Sequence, residues 1–370
     1  MMDLFDDLPP PSNDVSSTST STVSSGEVQT TCGCSLVDTS VVQDDVKHNK
    51  RYINQKEQET DAKRRKKEHF KLKGFVAERK GEREDMQDAH IIIDDFMSSL
   101  ENPPENVGRM AYYAVFDGHV GPRASQFAAQ HLHLNIKSKM IKASVLGSDR
   151  EMKKCLVDSY SLTDEQFLNE ASKETPVLKD GSTAVSVLVV DDTLYVANLG
   201  DSKALLCRLN DQGKISVIPL SKDHSPAEYN ERMRIQKAGG TVKDGRVQGI
   251  LEVSRSIGDR RFKHCGVIST PDIKRCTLTD NDKFILLACD GLWKGFSVDS
   301  AVKYIHNIIN NETAPLQQKS EKDKADVNDD LKMDPASYQF QLACDSIASD
   351  AIRNGSSDNV TVMLVSIKPS

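Results

Sequence analysis

Ala111-Tyr-Tyr-Ala-Val-Phe-Asp117-Gly118-His119-Val120-Gly121 decides the fold of this chain. Its unbroken run of aromatic and β-branched residues predicts a buried strand. The run stops on a carboxylate, a glycine and an imidazole. Pro122 then opens a helical pattern, at the helix position proline tolerates best. Ala124, Ala128, Leu132, Ile136 and Met140 recur every four residues with Phe127 beside them, which makes one apolar helix face. Asp117 and His119 are therefore expected at a strand end, on a turn where glycine permits close approach of a ligand. A rigid strand feeding an exposed loop is a common platform for catalytic groups.

The same sign recurs downstream. Lys283-Phe-Ile-Leu-Leu-Ala-Cys-Asp290-Gly291 is a second buried strand ending on Asp-Gly, and Gly355-Ser-Ser-Asp358-Asn359 is a turn before the closing strand Val360 to Ile367. Gly181 to Val190, Thr193 to Leu199 and Ala204 to Arg208 read as strands, with a hairpin expected at Gly200-Asp201-Ser202. A polar helix is expected from Pro226 to Ala238, closed by Gly239-Gly240. Others are expected near Met152 to Ala171, interrupted around Ser161, near Val298 to Asn310, and along Phe340, Ala343, Cys344, Ile347, Ala348 and Ala351. Turns rather than alternating helices follow most strands, so the sheets should be mostly antiparallel. Near-continuous apolar strands imply burial on both faces, which two stacked sheets with helices outside satisfy.

The 370 residues leave room for one large domain or two, plus tails. A hydrophobic fraction of 38% and a charged fraction of 28% suit a soluble protein with a sizeable core. The net charge of −7 argues against bulk nucleic-acid binding. No apolar run is long enough to span a bilayer, and no signal-peptide plan is present, so no membrane association is expected. Eight scattered cysteines, without zinc-ligand spacing, suit a reducing intracellular setting. Residues 1–68 are rich in Ser, Thr, Asp and Gln and read as a disordered regulatory tail, with the folded domain over 69–370. Met2-Asp-Leu-Phe-Asp-Asp-Leu-Pro reads as solvated tail or docking peptide, and Lys63-Arg-Arg-Lys-Lys67 as solvated charge or a nuclear import signal. The polar, charged stretch from Asn311 to Asp334 reads as a mobile surface insertion.

Asp117, Asp290 and Asp358 border apolar strands, and Asp88 and Asp259 lie at similar boundaries. Any one alone is most simply a turn former. Five at strand boundaries of one sheet system suggest convergence, and converging carboxylates repel unless protonated or neutralised by a cation. All-oxygen ligands point to a hard divalent ion, Mg²⁺ or Mn²⁺. Two such ions about 4 Å apart would clamp a phosphoryl oxygen and lower the pKa of a bridging water. His264-Cys265 lacks the arginine six residues on that a cysteine phosphatase loop needs, because Pro271 stands there. Gly200-Asp201-Ser202 is better explained by turn chemistry than as a serine nucleophile.

Seven stretches in order resemble the motif series of the metal-dependent protein phosphatase 2C family. They are Arg83-x-x-Met-Gln-Asp88-Ala-His90, Val115-Phe-Asp117-Gly118-His119-Val-Gly121, Gly181-Ser-Thr-Ala184, Asn198-Leu-Gly200-Asp201-Ser202, Val253-Ser-Arg-Ser-Ile-Gly258-Asp259, Leu287-Ala-Cys-Asp290-Gly291 and Gly355-Ser-Ser-Asp358-Asn359. The resemblance implies an α+β fold, an αββα sandwich with a two-metal cleft between mostly antiparallel sheets. It implies a phosphoserine/phosphothreonine protein phosphatase using Mg²⁺ or Mn²⁺, two ions per site. Asp117 would bridge the ions, the Gly118 carbonyl would hold one, Asp290 and Asp358 the other, and Asp88 would act through water. Arg83 would grip the substrate phosphate. A metal-bound hydroxide would attack phosphorus, and His119 would protonate the leaving oxygen. Asp259 would support from behind.

Gln87 replaces a glutamate common in the family, and Asp180 stands beside, rather than at, the place of a third-metal aspartate. The tail opening Met2-Asp-Leu-Phe and Leu72-Lys-Gly-Phe-Val-Ala-Glu-Arg-Lys-Gly-Glu-Arg83 narrow the resemblance to a kinase-associated member, which implies a kinase partner. Phosphorylated proteins are the expected substrates, and a cytoplasmic and nuclear monomer is the expected state.

Overall fold

The computed structural model describes residues 70–100, 103–104, 107–140, 146, 148–310 and 333–369. The expected tail over 1–68, its basic run and residues 311–332 of the expected insertion lie outside the described residues.

Strand alternation builds the layers. Every residue of β3 (Met110–Phe116) is buried. Tyr112, Ala114 and Phe116 face one cluster, with Leu132, Ile136 and Leu156. Ala111, Tyr113 and Val115 face another, against Leu206, Ile285, Leu287, Met363 and Val365. Successive strand residues point to opposite faces, so this strand needs a cover on each side.

One cover is a second sheet. The first sheet orders β13 (Asp272–Thr277), β7 (Thr193–Leu199), β6 (Ala184–Val190), β3 and β2 (Ala89–Ile93). The second orders β1 (Phe70–Arg79), β15 (Val360–Pro369), β14 (Asp282–Ala288), β8 (Lys203–Leu209) and β9 (Ile215–Pro219). Every neighbouring pair is antiparallel. The other covers are helical. Helices α1 (Arg123–Met140) and α2 (Asp149–Ala171) pack on the outer face of the first sheet. Helices α6 (Val298–Asn310) and α7 (Pro335–Arg353) pack on the second, against Phe75, Phe284, Leu286 and Leu364. Asp334 caps α7 by accepting from the Ser337 N–H at 3.0 Å, with Pro335 opening the helix. The αββα sandwich expected from the sequence is the observed architecture.

Three local expectations change. Helix α2 runs unbroken through Ser161. Nearby polar positions are absorbed inside the helix, because the Ser159 hydroxyl donates to the Cys155 carbonyl and the Thr163 hydroxyl to the Ser159 carbonyl. The strand expected from Gly181 to Val190 splits at Thr183. Its first part, β5 (Gly181–Ser182), joins β4 (Gly118–His119) and β12 (Ile257–Gly258) in a small separate sheet. Gly200-Asp201-Ser202 is no hairpin either, since the strands before and after it lie in different sheets.

Beyond the sandwich, a two-strand ladder, β10 (Val242–Lys243) with β11 (Arg246–Val247), follows helix α3 (Tyr229–Lys237). Helix α3 is pinned by one buried carboxylate. Glu231 accepts from Arg255 Nη2 at 2.6 Å, Arg234 Nη2 at 2.7 Å and Ser254 Oγ at 2.5 Å. Burial alone would push its carboxyl up, but the two guanidiniums and the hydroxyl outweigh it and hold it well below the usual 4.5. This stabilisation is complete above the unfolded value and is lost as pH falls through the depressed folded value. Glu231→Gln is expected to cost about 3 kcal/mol at neutral pH, the scale for removing one partner of a buried pair. It should also flatten the acid limb of the melting-temperature profile. Calorimetric melts of both proteins from pH 7 downward check this, and a parallel acid limb would contradict it.

Candidate active site

The first carboxylate is fixed where β3 ends. The Asp117 N–H donates to Thr183 Oγ1 at 3.2 Å, and the Thr183 N–H donates back to the Asp117 carbonyl at 2.9 Å. The Thr183 hydroxyl lies 2.8 Å from that of Ser202, so the split between β5 and β6 ties this strand end to the crossover. Gly118 follows, and a Cβ there would collide with the Gln87 carbonyl. The Gly118 backbone can therefore lie against the turn that carries Asp88. Asp88 is buried below the cleft, its Oδ2 accepting from Thr361 Oγ1 at 2.7 Å. Its Oδ1 has no hydrogen-bond partner among the described residues.

The other pair comes from the second sheet. Asp290 heads α5 (Asp290–Gly295) directly after β14, and Asp358 precedes β15. A Cβ on Gly291 would collide with the Asn359 carbonyl, so glycine is what lets the two aspartates approach. Asn359 is the joint of the site. Its Oδ1 accepts from the Gln87 N–H at 2.7 Å, and its Nδ2 donates to the carbonyls of Lys80 at 2.7 Å and Asp85 at 3.1 Å. One side chain thereby ties the loop carrying Arg83 to the turn carrying Asp358. Arg83 Nη2 reaches Asp358 Oδ2 at 2.9 Å while its side chain remains 53% exposed. Lys294, one turn along α5, places Nζ 2.6 Å from Asp290 Oδ2 and 2.5 Å from Asp358 Oδ2.

The cleft these groups enclose has a volume of about 430 Å³. Its lining includes Asp117, Gly118, His119, Asp201, Asp290 and Asp358. Ligand atoms of Asp88, Asp117 and Cys289 lie within 4.8 Å of one another.

Negative charge is in excess at the inner end. Burial, then the charges of Asp88 and Asp290, push the Asp117 carboxyl far above its usual range. Burial pushes Asp88 up to about 6, against the Thr361 hydroxyl and the Cys289 thiol. Burial and the Asp290 charge push Asp201 up to about 7. At the outer end burial also opposes ionisation of Asp358, but Lys294 and Arg83 outweigh it and hold that carboxyl low. Buried, uncompensated carboxylates with an unpartnered Oδ1 and only oxygen donors fit a hard divalent cation. Cys289 is a poor competitor for it, since burial holds its thiol protonated.

His119 stands at the opposite wall on β4. Its Nε2 lies 2.8 Å from Asp259 Oδ2, and Ser256 Oγ donates to that same oxygen at 2.6 Å. Burial pulls the imidazole pKa down, but Asp259 outweighs it and the net direction is up. Asp259, which precedes the short helix α4 (Arg260–Lys263), is itself 2% exposed and adopts the left-handed conformation at φ 51°.

The structure thus brings Arg83, Asp117, Gly118, His119, Asp259, Asp290 and Asp358 to one cleft, with Asp88 beneath it. Asp180 lies behind the His119 wall without lining the cleft, its backbone carbonyl accepting from the Asp259 N–H at 3.0 Å. Its Oδ1 accepts from the Arg123 N–H at 3.1 Å, at the start of α1. Asp201, expected in a hairpin, lines the cleft instead. Asn359 and Lys294 carry functional geometry that the sequence reading left without a role. For Lys294 a signal existed, because it lies four residues after Asp290, one helical turn.

The sequence pattern of the family described as protein phosphatase 2C matches residues 72–360. The chain is 52% identical over 299 residues to the integrin-linked kinase-associated serine/threonine phosphatase 2C of Bos taurus, covering 80% of this chain and 77% of the relative. The Homo sapiens protein of that name matches at 52% over 299 residues, with 80% and 73% covered. The crystal structure of a serine-threonine phosphatase 2C from Toxoplasma gondii superposes with a TM-score of 0.63 at 21% identity, covering 80% of this chain and 95% of that one, which is a likeness of fold.

Proposed function

The chain belongs to the protein phosphatase 2C family, and from that premise we propose how its own residues divide the work of a metal-dependent serine/threonine protein phosphatase. The observation that carries the reading is the convergence of Asp88, Asp117, Asp290 and Asp358 in and beneath one cleft whose lining also holds His119 and Arg83. Asp117, the Gly118 carbonyl, Asp290 and Asp358 would hold two Mg²⁺ or Mn²⁺ ions, with Asp88 acting through water. When bound, the ions supply positive charge for the phosphoryl oxygens and a water of lowered pKa.

Arg83 meets the incoming phosphate, because its exposed guanidinium offers a planar fork to phosphate oxygens. His119 donates a proton to the serine or threonine oxygen as the P–O bond breaks. Asp259 fixes the ring by taking its Nε2 side. Ile250 and Val120, half or more exposed at the cleft mouth, offer apolar surface to residues flanking the phosphorylated one. Association with integrin-linked kinase rests on the relatives' name, and co-precipitation from cells tests it.

A small-ester hydrolase would share the metal chemistry but not the preference. With Mn²⁺, a phosphoserine or phosphothreonine peptide should be hydrolysed with kcat/KM at least about 10-fold above a small alkyl phosphate, a difference of roughly 1.4 kcal/mol in transition-state binding. Equal values would favour the small-ester reading. No Mn²⁺-dependent turnover of any phosphoester would favour a silent phosphoprotein-binding scaffold.

A further inference from the structure

We propose that Lys294 is a built-in competitor for divalent metal, its ammonium occupying the face of Asp290 and Asp358 that an ion must take. This rests on the reading that these two carboxylates are metal ligands. The geometry is specific. Asp290 begins α5, and the helical repeat returns Lys294 to the same side one turn later. Its Nζ lies 2.6 Å from Asp290 Oδ2 and 2.5 Å from Asp358 Oδ2, so one ammonium bridges carboxylates from two separate segments. Arg83 shares that same Asp358 oxygen at 2.9 Å. An ion approaching the outer pair therefore has to displace a charge-assisted contact that is already made.

The inner pair carries no such counter-charge. Asp88 Oδ1 has no hydrogen-bond partner among the described residues. Among the described residues, neither Asp88 nor Asp117 makes a salt bridge within 4.0 Å. The two ends of the site are thus unequal: the inner end is open to cations and the outer end is contested. Lys294 can yield without disturbing the core, because its side chain is 43% exposed at the cleft wall. A cation entering the outer end sends the ammonium to solvent, and metal demand is set by how tightly the lysine holds on.

Calorimetric titration of Mn²⁺ into the full chain tests this, with Lys294→Met and Lys294→Arg beside it. Two unequal binding steps are expected. Lys294→Met should tighten the weaker step by about ten-fold, the order of one charge-assisted pair, and leave the stronger step unchanged. Lys294→Arg keeps the charge and should not tighten it. In excess chelator Lys294→Met should melt below the parent, because Asp290 and Asp358 lose their counter-charge, and saturating Mn²⁺ should close that gap. Should Lys294→Met fold poorly, Lys294→Gln replaces it. If the parent takes up Mn²⁺ and neither neutral variant binds it more tightly, Lys294 is a positioning contact and the competition is wrong. If no chain takes up Mn²⁺, the metal reading beneath it fails as well.

Discussion

Excess chelator should abolish phosphopeptide hydrolysis by this protein and lower its melting temperature, and added Mn²⁺ or Mg²⁺ should restore both. The expectation follows from charge bookkeeping at the inner cleft. Asp117 is held far above the usual carboxylate range by burial and by its neighbours Asp88 and Asp290. Without a cation these groups must either repel or take up protons. The sign of the pH effect follows. Burial raises Asp88 to about 6 and Asp201 to about 7, so in the metal-free protein the folded state binds these protons more tightly than the unfolded chain. That contribution is fully present below the usual value of 3.8 and is lost as pH rises through about 6 and 7. Chelated protein should therefore melt progressively lower from pH 5 to 8. At 100 times its dissociation constant a metal adds about 2.7 kcal/mol, which is worth roughly 5 °C or more in a domain of this size. Thermal melts and phosphate release, each with and without chelator across that range, make the check. Full activity in excess chelator would sink the metal assignment.

His119→Gln should slow phosphopeptide hydrolysis by about 10² to 10⁴-fold, the usual weight of a general acid. The substitution alters the contact to Asp259 but none made by Asp88, Asp290 or Asp358. Asp117 and His119 are two residues apart at the end of an extended run, so they serve the same cleft from one backbone segment. A serine or threonine alkoxide leaves poorly and needs the proton. An activated aryl phosphate leaves as a stable phenolate and needs little help. Its hydrolysis should fall far less in the same variant at saturating Mn²⁺, with Mn²⁺ affinity nearly unchanged. Equal losses on the two substrates would assign His119 to the water or the metal instead of the leaving group.

Much of this site was legible in the sequence because strand and site share one signal. An apolar run that halts on Asp-Gly states both that a strand is buried and that a carboxylate waits at its end. Asp117 and Asp290 were read that way, and Asp358 by its turn. Asp201 was misplaced because Gly-Asp-Ser has the same local chemistry whether the chain turns back beside itself or crosses to another sheet. Only long-range pairing decides between them, and β7 pairs with β6 and β13 while β8 pairs with β14 and β9. Lys294 was missed because the helix after β14 was expected only from Val298, which hid the one-turn relation to Asp290. Asn359 stands in the seventh motif, but its bracing role is not legible there. Its role lies in reaching three backbone stretches distant in sequence, Lys80, Asp85 and Gln87.

The donors of the cleft are bolted to opposite halves of the sandwich. Asp88 and Asp117 border β2 and β3 of one sheet, while Asp290 and Asp358 border β14 and β15 of the other. Between the halves lies a close-packed layer of Val185, Val187, Leu206, Ile285 and Met363, as incompressible as any protein interior. The spacing of the backbone segments that carry the two donor pairs is therefore set by how the two sheets stack. Discrimination by ionic radius, which depends on how far a coordination shell can relax, would on the proposed ligand set become a mechanical property of the scaffold. A cavity-making substitution deep in that layer, such as Val187→Ala, should therefore shift the preference between Mg²⁺ and Mn²⁺ without touching a carboxylate.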